Sequence, residues 1–103
     1  MHSSKLGVDY QKMKIKRERL QIIQDILKVI QGRNGKIKPT HIMYKANLSH
    51  QMLDEYLKYL VSTEFIKESE SGKGKTYALT QKGFDYINKY ELIVRFVESF
   101  GLN

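Results

Sequence analysis

Side chains able to do chemistry are few in this chain, and their types point to charge rather than to catalysis. The histidines are His2, His41 and His50, and no cysteine accompanies them. No glycine-rich phosphate loop follows a strand, and no His-Glu-x-x-His spacing occurs, so neither a nucleotide cradle nor a zinc-hydrolase helix is spelled out. His41 and His50 can approach one another across a turn, but two imidazoles without a carboxylate fixed as third ligand make a weak metal site. No enzyme, metal or cofactor is expected, and the lack of cysteine excludes disulfides and points to a cell interior. What the chain does carry is cationic chemistry. Lys and Arg total 18 against 11 Asp and Glu, for a net charge of +7 and a pI near 9.6. Such a balance favours polyanions, nucleic acid first and an anionic membrane second. The excess lies in the first third: residues 1–38 hold ten basic and three acidic residues, and residues 39–103 hold eight of each.

These cations need a scaffold, and 103 residues at 41% hydrophobic and 28% charged allow one folded domain. No apolar run approaches the roughly 20 residues of a membrane span, and no apolar stretch behind Met1 reads as a signal peptide, so a cytoplasmic protein is expected. Residues 1–15 read as a basic arm running into a helix; Met13 and Ile15 alternate with lysines, yet the same residues can also begin the helix. Over residues 16–31, Leu20, Ile23, Ile26, Leu27 and Ile30 fall on one helical face, and Gly32 with Asn34-Gly35 stops it. A short strand over 36–38 follows. Pro39 suits the first turn of a second helix with Ile42, Met43 and Ala46 inward. Asn47 then caps it in a left-handed conformation, Leu48 plugs the gap, and Ser49 caps a third helix over 50–62. Residues 65–68 and 76–79 read as a hairpin around a flexible 71–75 tip. Thr80 caps a last helix over 81–100, in which Gly83 implies close approach of a neighbouring element.

The segments Ile42-Met43-Tyr44-Lys45-Ala46-Asn47-Leu48-Ser49, Tyr56-Leu57 with Leu60, Phe65-Ile66 and Tyr77-Ala78-Leu79-Thr80-Gln81-Lys82-Gly83 together resemble the winged helix-turn-helix fold. More narrowly, they resemble the archaeal "ten-a" family of small basic, chromatin-associated DNA-binding proteins, from about Lys16 to the C-terminus. The resemblance implies an α+β, mostly α protein: an N-terminal arm over 1–15, a winged helix-turn-helix domain over 16–80 and a dimerisation helix over 81–103. It implies that the third helix enters the major groove of DNA, that the hairpin wing reaches an adjacent groove or phosphates, and that the last helix pairs two chains as an antiparallel coiled coil.

On that reading Ser49, His50 and Gln51 meet base edges, since the N-terminal end of a groove-bound helix approaches them first and Gln can bond adenine through two hydrogen bonds. Tyr44, Lys45 and Lys58 flank them, and Lys73, Lys75, Arg17 and Arg19, with Lys12, Lys14 and Lys16, supply phosphate contacts. Each phosphate neutralised adds about 0.9 to the salt slope of affinity. Asp54 and Glu55 oppose phosphates, which argues for pairing with Lys58 and against strong base readout. On the last helix Phe84, Ile87, Tyr90, Ile93, Val94, Val97 and Phe100, widened by Phe96, make an apolar seam too large for one small domain to cover, so a homodimer is expected. The expected function is a dimeric double-stranded DNA-binding protein, nucleoid-associated, either transcription regulator or chromatin organiser. The alternative is a winged-helix module for a protein or RNA partner. No membrane or small-molecule partner is indicated.

Overall fold

The computed structural model describes residues 3–33 and 35–101, with side chains from Glu18 onward except that of Ser71. Helix α1 spans Ser3–Arg33, so the residues expected as an arm ahead of a helix starting near Lys16 share one continuous helical backbone with it. Their composition accounts for this: Gln, Lys, Met, Arg and Glu are good helix formers, and no proline interrupts them. Ile26, Leu27 and Ile30 are fully buried and Ile23 nearly so, whereas Leu20 stays partly exposed at the edge of the core.

Gly35 turns the chain with φ +85°. The strand expected over 36–38 shrinks to a single bridge, Ile37 against Tyr77, because Pro39 has no N–H to extend the ladder and instead opens α2, Pro39–Ala46. Asn47 is left-handed at φ 55°, and the Leu48 amide donates to the Met43 carbonyl at 3.1 Å to close that helix. Ser49 Oγ accepts the Met52 amide at 3.1 Å and starts α3, His50–Ser62, whose Leu53, Leu57 and Leu60 enter the core.

Strands β1, Ile66–Ser71, and β2, Gly74–Leu79, pair antiparallel in a register running from Ile66 opposite Leu79 to Ser71 opposite Gly74. The tip is therefore a two-residue Gly72-Lys73 turn, tighter than the five-residue loop expected. Helix α4 spans Gln81–Ser99 and is capped by Thr80, whose hydroxyl accepts the Gly83 amide. At Gly83 a β-carbon would run into the Phe65 carbonyl, which is the close approach that glycine implied. Helices α1 and α4 are joined by polar contacts along their length: the Tyr86 hydroxyl donates to the Leu20 carbonyl at 3.0 Å, Tyr90 to Gln21 Oε1 at 2.8 Å, and Lys28 pairs with Glu91 at 3.1 Å. Partner numbers broadly rise together, so the two helices run the same way.

Candidate nucleic-acid interface

Two short elements and a hairpin bring the expected contact residues to the surface. Helix α2 ends in one turn between Asn47 and Ser49, and the exposed residues on either side of it are Tyr44 and Lys45 before, Ser49, His50 and Gln51 after. Tyr44 is 78% exposed, although an aromatic ring of that size ordinarily tucks part of its surface away. The cap holds the front of α3 in place: Ser49 Oγ is engaged with its own helix, while the His50 and Gln51 side chains stand clear of the core.

Asp54 of α3 and Glu68 of the hairpin are answered locally. Asp54 pairs with Lys58 at 3.1 Å, one helical turn on, and Glu68 on β1 pairs with Lys75 on β2 at 3.6 Å. Tyr77 joins the two sites. It is buried against the core, and burial, with the charges of Glu68 and then Asp54 adding, holds its hydroxyl above the ordinary value of 10. The hairpin stem packs on α3 through β1. Lys73 and Lys75 extend exposed from that stem.

Of the outlying cations, Arg19 is exposed and lines a cavity of about 420 Å³ between α1 and α3, together with Leu20, Ile23, Glu55, Tyr56 and Tyr59. The Arg17 side chain, with Lys12, Lys14 and Lys16, lies outside the described side chains. A second recess, floored by Ile37 between α1 and α2, gathers Lys28, Arg33, His41 and Lys45. Reading by segment missed it, since only the i, i+4 spacing of His41 and Lys45 hints that two of these share a face.

The seam expected on α4 divides. Ile87 is 2% exposed within the chain's own core, which removes it from any surface a second chain can reach, and the Tyr90 hydroxyl is turned to α1. Phe84 and Val97 are half-buried. Ile93 at 63% and Phe96 at 65% stand out in solvent with Leu92 and Phe100, and Leu92 was not singled out by spacing. Val94 lines a groove with α1 residues Gln21 and Gln24, so it borders rather than centres the exposed patch. Among the described residues no group of three or more His, Cys, Asp or Glu side chains could hold a metal, and no helix is long and apolar enough to cross a membrane.

A family model described as winged helix-turn-helix matches residues 16–98. The uncharacterized protein MJ0290 of Methanocaldococcus jannaschii is 36% identical over 83 residues, which are 81% of this chain and 36% of that protein, so the chain spans about a third of its length. The crystal structure of Sso10a-2, a DNA-binding protein from Sulfolobus solfataricus, superposes with a TM-score of 0.68 at 23% identity, covering 79% of this chain and 82% of that one. A mutant of S. aureus MepR superposes with a TM-score of 0.70 at 15% identity, covering 97% and 81%. At these identities the two structures speak to the fold, a mostly helical arrangement with one two-stranded wing.

Proposed function

The chain belongs to the winged helix-turn-helix family, and on that premise we propose that it is a homodimeric double-stranded DNA-binding protein of the cell interior, a transcription regulator or chromatin organiser of low to moderate sequence specificity. The observation that carries this reading is the exposed front of α3 on a molecule whose nearby hairpin ends in lysines, in a chain of net charge +7. A major groove about 12 Å wide admits one helix, and its N-terminal turn reaches the bases. Gln51 reads an adenine edge, Ser49 and His50 bond base or phosphate, and Tyr44, Lys45, Lys73, Lys75, Arg17 and Arg19 hold the backbone. Lys58 and Lys75 exchange Asp54 and Glu68 for phosphates at little cost, since exposed ion pairs are worth about 0–1 kcal/mol. The acids that remain limit readout to the first turn, which keeps specificity low. The fold shared with Sso10a-2, itself a DNA-binding protein, supports the same reading. The exposed residues Leu92, Ile93 and Phe96 of α4, with Phe100 just beyond its end, join two protomers, and two linked sites raise affinity without new contacts.

Binding measured by fluorescence anisotropy over a range of salt, on several unrelated duplexes, tests this. Roughly 5 to 8 neutralised phosphates give a slope of about −5 to −7. Lys73→Ala with Lys75→Ala lowers the slope by about 1 to 2 on every duplex, whereas Gln51→Ala changes the ranking among duplexes. Negligible binding at about 0.1 M salt, near the ionic strength where surface charges still act over 10 Å, overturns the proposal.

A further inference from the structure

We propose that the recess between the end of α1 and α2 is a phosphate-binding site, separate from the front of α3 and from the wing tip. Where its phosphate comes from DNA, this rests on the function proposed above. The recess encloses about 340 Å³, and its polar lining is Lys28, Arg33, His41 and Lys45, with no carboxylate among the lining residues. All four side chains are on exposed residues. Three of them are permanent cations at neutral pH. Lys28 is already engaged by Glu91 at 3.1 Å, so Arg33 and Lys45 supply most of the free charge and His41 adds a ring N–H. Arg33 ends α1, and its planar guanidinium offers paired donors that match a phosphate's oxygens. His41 and Lys45 lie one turn apart on α2 and face the same space. Gly32 leaves the wall open: a β-carbon there would meet nothing within 4 Å.

Concavity matters as much as charge. Cations around a recess with an apolar floor, here Ile37, focus field lines that the same cations on a convex surface would spread into solvent. The place is also consistent with a duplex seated on α3, because Lys45 lies in the last turn of α2, close before the turn into α3, and Ile37 is bridged to β2 of the wing. A DNA phosphate beside the groove contact and a free pyrophosphate present the same chemistry to this site.

The test uses Arg33→Gln with His41→Gln in the full chain and spares Lys45, which serves both surfaces. Both altered side chains are exposed, and the variant is first checked to melt with the wild type. In one arm sodium pyrophosphate is titrated in 0.1 M chloride, following the amide resonances of Gly32, Arg33, His41 and Lys45. In the other the salt slope of duplex binding is measured. A DNA phosphate in the recess predicts a slope lower by about 1 in the variant on all duplexes, with pyrophosphate competing against DNA. A free phosphate ligand predicts pyrophosphate affinity at least tenfold weaker in the variant and an unchanged DNA slope. Recess resonances that do not move with pyrophosphate, together with identical slopes, overturn the site while DNA binding by the wild type stands. A wild type that takes pyrophosphate into the recess but binds no duplex supports the site and ends the DNA reading.

Discussion

The two halves of α4 both carry apolar residues at helical spacing and meet different fates. In the first, Ile87 and Gly83 are buried and Tyr86 is tied to α1; in the second, Leu92, Ile93, Phe96 and Phe100 lie open. The cause is the side of the helix each residue occupies. At about 3.6 residues per turn, Leu92, Ile93, Phe96 and Phe100 lie on the side of α4 away from Ile87, whereas contacts between α1 and α4 climb broadly together on the Ile87 side, reaching Lys28 with Glu91. One helix therefore carries two apolar faces, one packed into the internal core and one open to solvent.

The largest effect that tests this division is Ile87→Ala. Truncating a fully buried isoleucine costs about 2–5 kcal/mol, so the melting temperature falls by roughly 10 °C or more in a domain this size. Ile93→Ala, on the exposed half, changes the stability of the single chain by no more than about 0.5 kcal/mol. Calorimetry showing equal losses at both positions breaks the comparison. Next in size is Ile93→Asp with Phe96→Asp, which places two charges in the seam. Sedimentation then shows the mass fall from two chains to one, with little change in the melting of the single chain. A pair of chains that survives the double substitution means that the exposed half is not the contact. Val94, the residue spacing alone placed near the centre of the seam, is a poorer choice because it borders α1.

Local chemistry was the legible part of this fold. Asn47 and Ser49 announce the turn before α3, Thr80 announces the start of α4, and Gly83 announces a backbone crossing, since each is a residue type that one backbone geometry demands. What depends on distant neighbours was not legible. Ile87 and Ile93 lie about 120° apart around α4, and only the placement of α1 shows which of the two faces is covered. Whether 36–38 makes a strand turned on how much ladder Pro39 leaves, and the start of α1 on residues whose alternation and helix propensity pull in different directions. Of the proposed contact surface, the front of α3 and the wing lysines were visible as segments. The recess was not, because Arg33 and His41 come together only when the loop after α1 folds back.

On α1, facing the packed half of α4, one residue works against the packing. Gln24 is 3% exposed; its amide donates to the Ile87 carbonyl at a long 3.4 Å, and its Oε1 has no hydrogen-bond partner among the described protein groups. A buried acceptor left unmatched costs about 1–3 kcal/mol. Gln24→Met keeps the volume and removes that cost, so stability rises by about 1 kcal/mol in denaturant unfolding. A loss of similar size instead shows that Gln24 is matched in solution and that the α1–α4 seam is better satisfied than its contacts indicate.

The smallest effect at neutral pH comes from Tyr86, at the boundary of the packed half. Burial, and secondarily the neighbouring Tyr90, pushes its hydroxyl up to about 12 from 10. Its proton is thus held more tightly folded than unfolded, so the stability tied to it is complete below about pH 10 and is lost as pH rises toward 12. Tyr86→Phe cannot ionise. Below pH 9 it loses only the bond to the Leu20 carbonyl, worth about 1 kcal/mol, and between pH 10 and 12 its melting temperature falls less steeply than that of the wild type. The other ionisable groups are common to both proteins, so the difference between the two curves isolates Tyr86. Parallel curves place that hydroxyl in solvent, and the well-packed stretch of α4 then begins at Ile87.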